Sequence, residues 1–68
     1  MKGILRNNIT ELLESGEYDD AEVFSYVGTV AELTLEVDNG EFERNYYNLH
    51  YDNGYTIDAI HAYHIIKL

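Results

Sequence analysis

Residues 35–58 read LEVDNGEFERNYYNLHYDNGYTID, in which the tripeptide Asp-Asn-Gly occurs at residues 38–40 and again at residues 52–54. Asn-Gly is typical of a two-residue hairpin turn of type I′, because both central residues of that turn need a positive φ. The two tripeptides therefore predict two β-hairpins that share one strand, and they indicate that most of the chain is antiparallel sheet.

Strands are predicted on both sides of each turn. Pairing outward from the turns gives strands over residues 30–38, 41–52 and 55–67. Gly28 favours an earlier turn, which adds a strand over residues 21–27. The result is an antiparallel meander of three to four strands.

Two segments keep a helical alternative. The apolar residues of 23–30 also match a short helix, with Asp19 or Asp20 as its N-cap. Residues 57–68 match a C-terminal helix capped by Thr56. The preceding Asn-Gly turn and the isoleucine-rich composition favour a strand in this second segment.

The N-terminal segment, residues 3–15, has the spacing of an amphipathic helix, and Gly16 is a suitable stop. Its apolar stripe consists of Ile4, Leu5, Ile9, Leu12 and Leu13. The predicted fold class is therefore α+β. In this interpretation the helix packs on one face of the small antiparallel meander, within a single domain of residues 1–68.

The two turns also predict a register. Val37 would face Phe42 and Leu33 would face Tyr46 across the first turn, and Tyr46 would face His61 across the second. The face under the helix would then carry Phe24, Leu33, Leu35, Val37, Phe42, Tyr46, Tyr63 and Ile65. The opposite face would be mixed, partly acidic and open to solvent.

The charge of the chain is strongly unbalanced. Thirteen acidic residues and four basic residues among 68 give a formal net charge of −9. A surface this negative repels nucleic acid and anionic membranes and attracts basic proteins, so we expect no direct nucleic-acid binding and no membrane association. The absence of cysteine fits a reducing compartment, and we expect a cytoplasmic location.

Residue patterns for catalysis or metal binding are not evident. The chain has no phosphate-binding loop and no glycine-rich dinucleotide turn, so we predict that it is not an enzyme and has no cofactor. His61 and His64 would point to opposite faces of a strand and could not share an ion, so no metal site is predicted.

Carboxylates and tyrosines are the candidate binding residues. Carboxylates near the first hairpin and on the connector would steer a basic partner, and tyrosines outside the core would add contact area. The residues predicted to contact a partner are Asp19, Asp20, Glu32, Glu36, Glu43, Tyr47, Tyr51 and Tyr55.

A tiny, acidic, cysteine-free α+β domain is similar in kind to many phage-encoded inhibitors, including anti-CRISPR and anti-restriction proteins. The resemblance is one of composition and covers no motif. It implies a non-enzymatic binding protein that occludes a basic nucleic-acid-binding surface of a larger protein. The alternative is a structural or regulatory module that self-associates, as a homodimer, through its uncovered sheet face or an edge strand.

Overall fold

The computed structural model describes residues 1–18 and 20–68, so the predicted contact residue Asp19 lies outside the described residues. This part of the chain forms a five-stranded antiparallel sheet with one short α-helix, in agreement with a small α+β protein. The strands are β1 (Lys2–Leu5), β2 (Val30–Val37), β3 (Tyr46–His50), β4 (Thr56–His61) and β5 (Ile65–Lys67), and the helix is α1 (Thr10–Ser15). Short 3-10 helices lie at Asn7–Ile9, Ala21–Tyr26, Phe42–Arg44 and Ala62–His64.

The strand order is β4-β3-β2-β1-β5, so β4 and β5 lie at opposite edges of the sheet. Only the three residues Ala62–His64 join them. In a flat sheet these edges would be about 19 Å apart, at about 4.8 Å for each strand spacing. The four Cα–Cα steps from His61 to Ile65 span at most about 15 Å. The sheet therefore has to coil, as in a partly closed barrel.

Hydrogen bonds tie this short link to both of its neighbours. The backbone N–H of Arg6, just after β1, donates to the His64 carbonyl at 2.8 Å. The Arg6 side chain donates to the Tyr63 carbonyl at 2.8 Å. On the other side, the Ala62 N–H donates to the Asn45 carbonyl at 3.0 Å. The link thus forms the seam along which the coiled sheet closes.

The core lies inside the coil. Its buried members are Leu5, Ile9, Val23, Ala31, Leu33, Tyr47, Leu49, Tyr51, Ile57, Ile60, Ala62 and Ile65. From α1, Leu12 packs against this cluster while no residue of the helix is fully buried. The sheet thus encloses the core largely by itself, with help from the loops.

The packing of an N-terminal helix on a meander is not confirmed. The start of the predicted helix, Lys2–Leu5, is strand β1, which pairs with both β2 and β5. Apolar residues at positions 4 and 5 suit either structure locally, and hydrogen bonding to two partner strands decides between them. The helix is confined to Thr10–Ser15 and ends at Gly16, as expected, where φ is 78°.

Residues 21–27 do not form a strand. Ala21–Tyr26 is a 3-10 helix, and the Asp20 side chain accepts a hydrogen bond from the Glu22 N–H at 3.1 Å. The helical alternative with Asp20 as its cap was therefore the closer interpretation. The predicted strand over residues 30–38 agrees with β2, Val30–Val37.

The first Asn-Gly pair does not form a two-residue turn. Residues 38–45 make a wide connection instead, organised by the buried side chain of Asn45. Its Oδ1 accepts from the Asn39 N–H at 2.6 Å, and its Nδ2 donates to the Tyr47 hydroxyl at 3.1 Å. A buried side-chain amide needs hydrogen-bond partners, and the wide loop brings the Asn39 N–H to Asn45 as one of them.

The wide loop changes the register of β3. Leu33 lies opposite Leu49 rather than Tyr46, and Val37 lies opposite Tyr46 rather than Phe42. The predicted inner and outer faces of β3 are therefore exchanged, whereas on β2 Leu33 is buried and Glu32 and Glu36 are exposed, as predicted. Exposed members of the face predicted to be covered are Phe24, Leu35, Val37, Tyr46 and Tyr63. Buried members of the face predicted to be open are Val23, Asn45, Tyr47, Ile60, Ala62 and His64.

The second Asn-Gly pair does lie in a hairpin, but in a three-residue loop. The Tyr51 N–H donates to the Tyr55 carbonyl at 3.0 Å, and Gly54 has φ of 89°. This arrangement matches a type I turn followed by a left-handed glycine. The predicted pairing of Tyr46 with His61 is nevertheless confirmed.

A β-bulge in β4 restores that pairing. Asn48 of β3 faces two residues of β4, Asp58 and Ala59, and Ala59 has φ of 58°. The Ala59 N–H donates to Asn48 Oδ1 at 2.9 Å, which holds the bulge against β3. The predicted strand over residues 55–67 is thus divided into β4, the 3-10 helix Ala62–His64 and β5.

None of the helices in the described part of the chain has the length and apolar character that a membrane span requires.

Gly3 leaves no room for a side chain on the inner face of β1. A β-carbon there would stand 2.8 Å from Leu33 Cδ1 and 3.0 Å from Ile65 Cγ2. We expect Gly3→Ala to lower the free energy of unfolding by about 1–3 kcal/mol, because it overpacks the core. Chemical denaturation measures the change.

Leu33→Val removes the crowding methyl and is the matched control. As a single substitution it should lower the free energy of unfolding by about 1 kcal/mol. In the Gly3→Ala variant it should lower that free energy by less, because the two changes share one contact. A strictly additive double variant would contradict this account of Gly3.

Candidate functional site

Carboxylates collect on the outer face of the sheet. Side chains alternate between core and solvent along each strand, and Leu33 and Ile57 point into the core. Glu32 and Glu36 of β2 and Asp58 of β4 therefore point outward, and all three are exposed. We call these three residues the outer acidic strip.

Hydrogen bonds hold the centre of the outer acidic strip. Asn48 Nδ2 donates to Glu36 Oε2 at 2.8 Å, while Asn48 Oδ1 accepts from the bulged Ala59 N–H. Beside them, Thr34 Oγ1 and His50 Nε2 lie 2.7 Å apart. The Glu36 carboxylate is thus oriented by a side chain that is itself fixed to the backbone of β4.

The remaining predicted carboxylates do not join this strip. Glu43 lies in the 3-10 helix Phe42–Arg44, beside the seam between β4 and β5. Asp20 lies at the start of the 3-10 helix Ala21–Tyr26, where its Oδ2 accepts from the Tyr55 hydroxyl at 2.8 Å. The structure therefore separates the predicted acidic residues into three places.

The predicted exposure of two tyrosines is wrong. Tyr47 is 2% exposed and Tyr51 is 6% exposed, so both belong to the core and offer no contact surface. The third, Tyr55, is half-buried, and its ring stacks on Tyr26 with centroids 4.4 Å apart. The register change turns Tyr47 inward, opposite Ile60.

Tyr26, Tyr51 and Tyr55 form an aromatic cluster that joins the second hairpin to the loop before β2. The buried Tyr51 hydroxyl has no hydrogen-bond partner among the described residues. Burial, with a smaller contribution from Tyr26, raises the pKa of Tyr51 to about 12. Burial and the hydrogen bond to Asp20 also raise the pKa of Tyr55.

A cleft of about 490 Å³ opens along the seam of the coiled sheet. Among its lining residues are Arg6, Phe42, Glu43, Tyr63, Ile65 and Lys67, and we call it the seam cleft. The Arg6 guanidinium carbon lies 5.6 Å from the centre of the Tyr63 ring. The Lys67 ammonium nitrogen lies 5.5 Å from the centre of the Phe42 ring. Both distances are those of cation–π contacts.

Sequence reasoning did not find the seam cleft. Its two cations lie near opposite ends of the chain, at Arg6 and Lys67, and its aromatic residues come from two separate 3-10 helices. The pairing of β1 with β5 brings the two cations to the seam, and the hydrogen bond from the Ala62 N–H to the Asn45 carbonyl joins the two 3-10 helices. The one available signal was the presence of basic residues at both ends of an otherwise acidic chain.

His61 packs against Tyr46 as predicted, with ring centroids 4.9 Å apart. His64 contacts Asn8, whose Oδ1 lies 3.0 Å from His64 Nδ1. Both histidines line a smaller cavity of about 230 Å³. No group of three metal-ligating side chains occurs among residues 1–18 and 20–68.

Burial lowers the pKa of His64 from its ordinary value of 6.5. Glu11 acts in the opposite direction, and His61 and Arg6 add to the decrease. Asn8 Nδ2 donates to the Tyr63 carbonyl, which leaves its Oδ1 as an acceptor for a proton on His64 Nδ1. The buried ring is thus a hydrogen-bonded part of the seam, and its burial disfavours the charged form.

Comparisons with protein-family models, with curated proteins and with solved structures find no match to this chain.

Tyr51→Phe should raise the free energy of unfolding by about 1 kcal/mol, because it removes a buried hydroxyl that lacks a partner. Tyr55→Phe is the matched control, since it removes a hydroxyl that donates to Asp20. It should lower stability by up to about 1 kcal/mol. Equal losses in both variants, measured by denaturation, would contradict the unpartnered state of Tyr51.

His64 should make stability depend on pH. On acidification below 6.5 the unfolded chain takes up a proton at His64 while the folded protein does not, so stability falls until the lowered folded pKa is reached. His64→Gln should flatten the pH dependence of the melting temperature in this window. His50→Gln, on the outer face, is the control, and equal flattening in both variants would refute the role of His64.

Proposed function

We propose that the protein is a non-enzymatic binding protein that presents its outer acidic strip to a basic surface of a larger protein. In this proposal it occludes a surface that otherwise holds nucleic acid. The observation that carries the proposal is the sorting of charge on the sheet. Glu32, Glu36 and Asp58 share the outer face of β2 and β4, while β2, β3 and β4 contain no lysine or arginine.

The strip suits a two-step association. A net charge of −9 attracts a basic partner over a distance and raises the association rate. At physiological ionic strength such attraction extends only about 8 Å, so the final contacts must be local. Glu36 is already held by Asn48, which reduces the entropy lost on docking. Asp20 and Glu43, which lie off the strip, contribute to the long-range field.

An exposed apolar pair lies at one end of the outer acidic strip. Val37 and Tyr46 are register partners on β2 and β3, and they are 43% and 37% exposed. Aromatic residues are frequent anchors in protein interfaces. In the proposed contact Tyr46 therefore has the role predicted for Tyr47 and Tyr51, because those two side chains are buried in the core.

Charge reversal tests the proposal. Glu32→Lys with Glu36→Lys changes the strip, and Glu11→Lys with Glu14→Lys on α1 is the matched control. Each pair changes the formal charge from −9 to −5, since each substitution adds two units. Immobilised wild-type protein captures partners from a bacterial lysate. Each purified partner is then assayed for release of a fluorescent DNA or RNA oligonucleotide.

We expect the wild-type protein and the α1 variant to displace the oligonucleotide from the partner. The strip variant should do so about tenfold less well or worse, because it loses local contacts as well as field. The association rate of the wild-type protein should fall steeply with added salt. Partners that bind no nucleic acid, or equal effects of the two variants, would contradict the proposal.

Self-association is the second candidate, and one observation favours it. Ile4 lies opposite Val30 on one side and Ile66 on the other, which forms an aliphatic row on the outer face of β2, β1 and β5. Val30 and Ile66 are about half exposed, and β5 has one unpaired edge in the described sheet.

Sedimentation equilibrium distinguishes the candidates. A homodimer that Ile66→Lys dissociates would support this one, and a monomer at high concentration would exclude it.

A further inference from the structure

The seam cleft has the size and lining of a site for a small molecule. Its volume of about 490 Å³ falls within the usual range of ligand pockets. The buried residues Ala62 and Ile65 supply an apolar floor, and Phe42 and Tyr63 supply aromatic walls. Such a floor with a few charged groups around it is typical of a pocket that binds an amphipathic ligand.

The seam cleft carries a positive charge, whereas the protein as a whole is negative. Of its four basic residues, Arg44 is paired with Glu41 at 3.0 Å. Arg6 and Lys67 both line the cleft, and neither forms an ion pair with a carboxylate of the described residues. Together with Glu43 they give the cleft a local balance of one positive charge.

Neighbouring groups hold both cations in place. One Arg6 nitrogen donates to the Tyr63 carbonyl and the guanidinium lies over the Tyr63 ring, which leaves other N–H donors of the fork free. Lys67 shares the inner side of its strand with Ile65, and its ammonium group lies over Phe42. Two oriented donors beside an apolar floor are suited to a carboxylate.

We propose that the seam cleft binds a small monoanionic carboxylate that carries an apolar body. The carboxylate accepts from Arg6 and Lys67, and the body lies on Ala62 and Ile65 between the two aromatic rings. The Glu43 carboxylate disfavours a second negative charge, so a phosphate dianion fits less well. This site is separate from the outer acidic strip, and the proposal stands independently of the proposed function.

The test is a titration of the isotope-labelled full chain, followed by the shifts of its backbone amide signals. The probe is 4-phenylbutyrate, and the controls are the neutral 4-phenylbutyramide and inorganic phosphate. We expect saturable shifts at residues 62–65 with phenylbutyrate, and at least about tenfold weaker binding of both controls. An amide that binds equally well, a phosphate that binds as tightly, or shifts that do not saturate would overturn the proposal.

Substitutions of single charged residues test which charges contribute to phenylbutyrate binding. Lys67→Gln should weaken phenylbutyrate binding about tenfold. Lys2→Gln, a matched change on the outer face of the neighbouring strand, should leave the affinity unchanged, and Glu43→Gln should increase it. Equal losses in Lys67→Gln and Lys2→Gln would show a nonspecific charge effect and would also overturn the proposal.

Discussion

Residues 62–64 join strands that lie at opposite edges of the sheet, and a link this short can do so only if the sheet coils. The other features of the fold depend on this closure. It places β1 between β2 and β5, encloses the apolar side chains without a covering helix, and brings the Arg6 N–H to the His64 carbonyl. The seam is therefore both the closing point of the core and the place where the two ends of the chain meet.

Closure also sorts the charges of the molecule. Carboxylates on β2 and β4 remain on the convex, outer side, where they face water. Glu32 at one end of the strip pairs with the Met1 ammonium group at 3.3 Å and lies opposite Lys2 of β1, so the cations near the strip lie at that end. The inner side of β5 ends at the seam, so Lys67 emerges there beside Arg6 and above two aromatic rings. An acidic protein thus has a local cationic cleft because its chain ends pair, and no feature of its overall charge would indicate it.

Ring contacts and hydrogen bonds of tyrosine and asparagine side chains hold the loops of this small protein against its sheet. Tyr26 and Tyr55 stack, and Asn53 donates to the Tyr26 hydroxyl at 3.0 Å, which fastens the long β1–β2 connection to the second hairpin. The Asn45 side chain accepts from the Asn39 N–H and so fixes the first loop. The Asn48 side chain accepts from the Ala59 N–H and so fixes the bulge in β4. A domain of this length buries a smaller fraction of its surface than a larger domain does, so such polar ties add order that apolar burial alone supplies less well.

The sequence by itself determined the class of the fold, the strand at residues 30–37 and the hairpin at Asp52-Asn53-Gly54, whereas the predicted pairing of Tyr46 with His61 also needs the bulge at Ala59. It also determined that the outer face of β2 carries Glu32 and Glu36, because alternation along one strand is a local property. Tertiary structure decided the remainder. Hydrogen bonding to two strands made residues 2–5 a strand, and the buried amide of Asn45 widened the first loop and exchanged the faces of β3. The seam cleft arose from residues some sixty positions apart. Local patterns cannot specify such features, because their free energy comes from partners that only the closed sheet brings into contact.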